Sequence, residues 1–445
     1  MQRLYRKDKP MTRKAEKIEE MFATFDSYPL VQKDEFDKFY VNTNAARGSN
    51  VVKLMEFGLK YSQNPYMKIL FMGHRGSGKS TELSLLKDNV KDDFEVISFF
   101  IQDEVDTDSM TYIDFIFAIM SRLIRYIDEK NLDLESNDLE GLYKYWYGEK
   151  IIEETEFDYG ELAVDFKAKL SFLKKISLTG GGIFKTGAES KTSIRRKMEP
   201  KIGYLVELMN QIFQKINNLF LHKNLLIIIE DLDKLSLSTA EELFINHRKT
   251  WLSLKIRLIV TFPIFMAYNA HYNMIKEDVE LCCMLSMIKV RNQDKTPNAI
   301  GISTLKEIIS KRADLSLFES GDSDESNVIL YLIMKSGGAI RDLFQMIRDA
   351  SFNGMLGGHT QITMENAQKA YQKLKSENER LIRSESDIDK LLEIYQTPRP
   401  RTTDNTVMEL LLKGLILEYN GERWCGIHPT IEDFLIEKGI IEAND

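Results

Sequence analysis

Apolar residues in this chain gather into short runs separated by longer stretches with helical spacing. Lys68-Ile-Leu-Phe-Met72 is one such run, and it leads through the glycine-rich stretch Gly73 to Gly78 into a helical pattern. Phe94 to Ile101 is β-branched and aromatic without alternation, which predicts a strand covered on both faces. The stretch that follows places Ile113, Ile116, Met120, Leu123 and Ile127 on one helical face. Leu225 to Ile229, Ile256 to Phe262 and Cys282 to Val290 predict further strands, with a helix from about Lys201 to Leu219 ahead of the first of them. Strand and helix in alternation predict an α/β fold with a parallel-sheet core.

The alternation fails in three places. Residues 1–48 read as a basic arm (Arg3, Arg6, Lys7, Lys9, Arg13, Lys14), a short helix and a connector, "FYVNTNAARGSN", leading into the core. Residues 131–198 break into acidic and aromatic pieces and read as an insertion in a core of residues 49–300, with Gly180-Gly-Gly182 as a loop. A helical region, 301–378, then precedes a tail, 379–445, in which two amphipathic helices are followed by short strands around Asn420-Gly421, a hairpin signal. Helix, helix, hairpin predicts a winged-helix domain.

Composition narrows the function classes. A net charge of −8 argues against a surface that coats nucleic acid non-specifically. Cys282, Cys283 and Cys425 have neither disulfide-framework nor zinc spacing, which predicts a reduced, cytoplasmic chain. No run is long enough to span a membrane, so no membrane partner is expected.

The candidate chemistry sits at strand ends. Gly73-His74-Arg75-Gly76-Ser77-Gly78-Lys79-Ser80 fits G-x-x-x-x-G-K-[ST] between a strand and a helix. Glycines let the backbone N–H groups face phosphate oxygens, and the helix N-terminus adds a favourable potential. Lys79 supplies a point charge to the β and γ phosphates, Ser80 a hydroxyl to Mg²⁺, and Thr81 a further phosphate contact. ATP and Mg²⁺ are the expected cofactors. Walker-B chemistry needs acids at the end of a buried strand, and Glu230-Asp231 provides them, with Glu230 in the slot of the metal-directed acid and Asp231 in that of the water-polarising one. Either division of roles is open. Thr261 ends the next strand, within reach of a γ-phosphate or of backbone alone. Arg341, in "SGGAIRDL", is placed to bring a guanidinium to phosphate from a helical lid.

With these motifs in place, the chain resembles an AAA+ or STAND-class P-loop ATPase: Walker A at Gly73 to Ser80, Walker B at Leu225 to Asp231, a sensor-1 slot at Thr261 and a sensor-2 G-x-x-R at Gly338 to Arg341. "GHRGSGKSTEL", "IIIEDLDKL", "NHRKTWLSLKIRLIVTFPI" and "SGGAIRDL" are similar to a group of bacterial stand-alone ATPases with an ORC/Cdc6-like core. The resemblance implies ATP hydrolysis, slow if the order of the acids matters, and a molecular switch that acts through a homo-oligomer or a separate effector protein, in some members in defence against phage. In such proteins a neighbour's arginine often completes the site; Arg248, Arg257 and Arg291 are candidates, each read first as a structural ion pair. Two other outputs fit the residues: a DNA-transaction factor using its winged helix, with Arg399 and Arg401 ahead of the helix, or a nucleotide-dependent scaffold with negligible hydrolysis.

Overall fold

A computed structural model describes residues 13–149, 165–186, 189–220, 222–321, 323, 326–399, 404–419 and 424–442. The chain divides into two compact units, one of Lys53–Met72 and Leu86–Cys283, the other of Met1–Val52, Gly73–Leu85 and Met284–Asp445.

The first unit is built on the strands β1 (Lys68–Gly73), β2 (Phe94–Phe100), β3 (Asn224–Glu230), β4 (Arg257–Phe262) and β5 (Leu281–Leu285), in the order β2-β3-β4-β1-β5. The β1–β4, β2–β3 and β3–β4 pairs are parallel. Every residue of β1 is buried, as are all of β3 but its first and all of β4 but its first. Such strands need cover on both faces, which explains why their sequences run apolar without alternating. The helix Tyr112–Glu129 begins with a capping box between Thr111 and Asp114, and its apolar face is buried.

Two sequence expectations are corrected. Gly180-Gly-Gly182 is not a loop: it lies inside the helix Phe166–Thr186. Leu173, Ile176, Ile183 and Phe184 of that helix are buried, so tertiary packing outweighs the helix-weakening glycines. Gly180 also has a steric reason to be there, because a Cβ at this position would come within 2.4 Å of the Phe117 ring. Asp114, fully buried, ties down the next helix, Glu189–Met198, by accepting from Arg195 Nε at 2.8 Å, with Lys191 Nζ 3.7 Å away. Gly180→Ala is expected to lower stability by roughly 1–2 kcal/mol despite alanine's better helix propensity, since overpacking exceeds that gain. A chemical-denaturation midpoint equal to or above that of the wild type would mean that Phe117 moves aside.

The second correction concerns Cys282 to Val290. Only Leu281–Leu285 is strand. Met287, Ile288 and Val290 are apolar because they enter the cores of the other unit.

That other unit has its main core among the helices Ile18–Thr24, Ala299–Arg312, Val328–Lys335, Ile340–Leu356 and Met364–Glu379. Its first helix packs against Ile340–Leu356, and Ala15 exchanges backbone hydrogen bonds with Arg312 and Asp314 at 2.8 and 2.9 Å. The tail follows as the helices Glu385–Gln396 and Asn405–Lys413, an antiparallel pair β6 (Ile416–Glu418) and β7 (Cys425–Ile427), and the helix Pro429–Glu437. The Asn420-Gly421 turn lies outside the described residues, as do Arg401 and residues 1–12 of the basic arm. Arg13 pairs with Glu20.

Candidate functional site

The phosphate loop continues directly from β1 and ends in the helix Lys79–Val90. Gly76 and Gly78 have φ of 84° and 102°, backbone that L side chains rarely adopt, so the glycines in the sequence pattern are required by geometry. Lys79 is buried, and its ammonium donates to the carbonyls of Gly73 at 2.7 Å and His74 at 2.8 Å. Ser77 Oγ is buried without a hydrogen-bond partner, an orphaned polar group in the wall of the loop. A curled backbone opening a helix, a lysine and an orphaned hydroxyl fit a polyphosphate. Ser80 is half-buried and Arg75 exposed.

Thr81 is engaged from outside the loop: its Oγ1 accepts from the Leu30 N–H at 3.3 Å. Arg341 is also beside the loop. It is the second residue of the helix Ile340–Leu356, hence in its first turn, and a Cβ on Gly76 would lie 2.6 Å from Arg341 Cβ. Two residues far apart in the chain therefore meet within one compact unit.

The acids and Thr261 belong to the sheet. Ile229 pairs with Val260 and Phe71 with Thr261, so Glu230, Thr261 and Phe71 form one row at the carboxyl ends of β3, β4 and β1. Open α/β sheets bind ligands at that end. Glu230 closes β3 and is 2% exposed; Asp231 follows at φ 74° and is 4% exposed. The Asp231 carboxylate meets Lys234 Nζ at 2.6 Å. Thr261 Oγ1 accepts from the Leu232 N–H at 3.0 Å, which fixes the turn carrying the acids and leaves the hydroxyl proton to donate. Among the described residues no group of three or more His, Cys, Asp or Glu is arranged to hold a metal ion. Glu230 and Asp231 are the carboxylates that would be available to a magnesium ion, a metal that binds through one or two carboxylates beside phosphate and water.

Sequence reasoning missed several residues behind the loop. Arg47, from the connector before the core, is 2% exposed and donates from Nε to Thr43 Oγ1 at 2.8 Å, from one terminal nitrogen to the Ser77 carbonyl at 2.6 Å and from the other to the Ser286 carbonyl. Burial pushes its pKa down to about 10, with Glu82 and Tyr40 opposing, so it remains a cation at neutral pH. Tyr40 donates to Glu82 at 3.2 Å; burial raises the pKa of Glu82, against the pull of Arg47. His74 is a named part of the loop, but its contact is not foreseen from the sequence: it is buried, and its Nε2 accepts from the Glu418 N–H of β6 at 2.8 Å. Only Gly48, the left-handed residue ending the Asn44–Arg47 turn, hinted that the connector was structured.

Of the arginines considered for a neighbouring site, Arg248 pairs with Asp278 at 2.7 Å and Arg291 with Glu432 at 2.8 Å. Arg257 lies over the Phe94 ring at 5.4 Å.

No protein-family profile and no curated protein sequence matches the chain. Solved structures similar to it include a Walker-type ATPase of Pyrococcus abyssi (12% identity, 93% of this chain and 99% of that one, TM-score 0.46). Others are the ORC2 protein of Aeropyrum pernix (11%, 94% and 98%, 0.42) and the RuvB Holliday junction branch migration motor of Thermotoga maritima (11%, 94% and 100%, 0.36). The fold itself rests on the chain's own geometry: a parallel sheet whose β1 runs into a G-x-x-x-x-G-K-S loop and helix, with acids ending β3, is the α/β core of a P-loop NTPase.

Proposed function

We propose that the protein is an ATP-binding, slowly ATP-hydrolysing switch whose nucleotide state is read by the unit that carries the phosphate loop. The observation that carries this reading is the placement of Arg341 against Gly76. A guanidinium there is within the loop's own unit, so a phosphate that engages it acts on the helix Ile340–Leu356 and on everything packed against that helix. Lys79 and the loop amides bind the phosphates, Ser80 and Glu230 hold Mg²⁺, Asp231 polarises water, and Thr261 orients it or the γ-phosphate. Hydrolysis would then reset the helices around Arg341, the order of events expected of a phosphate-held switch. Output runs through self-assembly or a separate effector protein, and the family resemblance supplies a setting, defence against phage.

Reduced hydrolysis has one supporting observation, the Lys234 ammonium on the Asp231 carboxylate. The DNA reading has less support: in the helix Asn405–Lys413 the single cation, Lys413, pairs with Glu409 at 3.3 Å.

Arg341→Ala is expected to keep ATP binding, through Lys79 and the loop amides, and to lose the ATP-dependent change in shape or assembly. A charge-assisted contact of about 1.5–3 kcal/mol shifts a two-state equilibrium by roughly ten- to a hundredfold. Lysine should rescue only in part, lacking the planar fork. Small-angle scattering and mass photometry with and without ATP and Mg²⁺ provide the test; equal responses in both proteins would remove Arg341 from the switch.

A further inference from the structure

We propose that the β6–β7 hairpin is a latch on the phosphate loop, held by the side chain of His74 and loosened when phosphate engages Lys79. His74 faces two ways. Its carbonyl accepts from Lys79 Nζ at 2.8 Å and from the Ser77 N–H at 3.2 Å, so its peptide belongs to the phosphate-binding curl. Its ring points into the tail, where Nε2 accepts from the Glu418 N–H at 2.8 Å. Because Nε2 accepts, the ring proton sits on Nδ1. Burial, then the charge of Lys79, pushes the ring's pKa down to about 3, against a smaller pull from the Leu411 carbonyl. The imidazole is therefore neutral throughout the physiological range, and the latch acts through hydrogen-bond geometry rather than titration.

The hairpin is equally attached on its other side. The Glu418 carbonyl accepts from Met287 N at 3.0 Å, and the Tyr419 hydroxyl donates to the Gly337 carbonyl at 2.9 Å. Met287, Ala339, Leu417, Tyr419 and Trp424 form a small core there, and Ala339 is the residue that opens the Arg341 helix. His428, just after β7, places Nε2 3.4 Å from Asp342 of that same helix. One hairpin thus touches the loop at His74 and the start of the Arg341 helix. The Lys79 ammonium rests on the two carbonyls at the start of the loop, and a phosphate competes for those same protons. Drawing the ammonium away removes a donor from the His74 peptide and relaxes the residue whose ring holds β6.

The coupling half of this proposal rests on the ATP reading above; the attachment half does not, and one experiment separates them. Hydrogen–deuterium exchange of the full chain would follow amides of 416–419 and 424–427, with those of β1, β3 and β4 as the reference. Without nucleotide, His74→Leu keeps bulk but not the acceptor, and should speed exchange of the hairpin about fivefold or more relative to the sheet, the effect of losing one buried hydrogen bond. His74→Gln, which can accept from Glu418, should restore at least half of the protection. In the wild type, ATP with Mg²⁺ should speed the same amides by about threefold or more. Hairpin exchange unchanged in His74→Leu, or equal in the leucine and glutamine variants, overturns the latch. If His74→Leu does not fold, the wild-type response to ATP decides: slower or unchanged hairpin exchange under saturating ATP overturns the coupling. Calorimetry on the same sample shows whether ATP binds at all; absent binding defeats the ATP reading and with it the coupling, and leaves the attachment to the nucleotide-free comparison.

Discussion

Lys79→Ala is expected to lose ATP affinity by about thirtyfold or more. The side chain is 6% exposed, and its ammonium sits on the carbonyls that open the loop, so the charge is both close to where phosphate would lie and shielded from water. Charge-assisted hydrogen bonds in such surroundings contribute roughly 1.5–3 kcal/mol each. Removing the amine also takes a clasp from the loop, so the amides that would face phosphate become less ordered before any ligand arrives. Both effects act in one direction. Ser80→Ala should mainly change the magnesium dependence, because the proposed role of its hydroxyl is to hold the ion. In isothermal titration, a Lys79→Ala protein that bound ATP within about twofold of wild type would contradict the phosphate-loop assignment.

Asp231→Asn should leave ATP bound and slow turnover by about a hundredfold or more, the usual cost of losing a positioned base. The structure makes asparagine a clean substitution: it tolerates the left-handed backbone at φ 74° better than other side chains and nearly keeps the volume. What changes is the negative charge that faces Lys234. Glu230→Gln should instead impair Mg²⁺-dependent binding, because Glu230 ends the strand in the slot of the metal-directed acid. Single-turnover hydrolysis beside equilibrium binding distinguishes the two. If the asparagine variant lost binding and the glutamine variant lost turnover, the acids would have the opposite division of labour.

The phosphate loop, the acids closing β3 and the strand carrying Thr261 could be read from the chain because each is local. A glycine pattern, an apolar run and an acidic end occupy neighbouring positions, and the backbone conformations they demand follow from residue type. Arg341 was legible as a residue but not as a neighbour of Gly76, since that contact joins distant segments. The supports behind the loop left still weaker traces. Arg47 looks like any surface arginine until the carbonyls of Ser77 and Ser286 come to it, and His74 looks like a variable position of the motif until β6 donates to its ring. Gly180 was misread for the complementary reason: its local signal is genuine, and the Phe117 ring overrules it. The run Cys282 to Val290 misled because burial in a sheet and burial in a helical core produce the same composition.

The loop's unit is assembled from Met1–Val52, Gly73–Leu85 and Met284–Asp445, whereas Leu86–Cys283 lies between two of those segments in the chain. On a translating ribosome, β1 to β4 have all emerged before Arg341 or Glu418 has been synthesised, so the sheet can pair while the loop still lacks two of its partners. A chain stalled near residue 283 therefore carries the whole Walker sequence and Arg47, but not Arg341 beside Gly76 or the Glu418 N–H on His74.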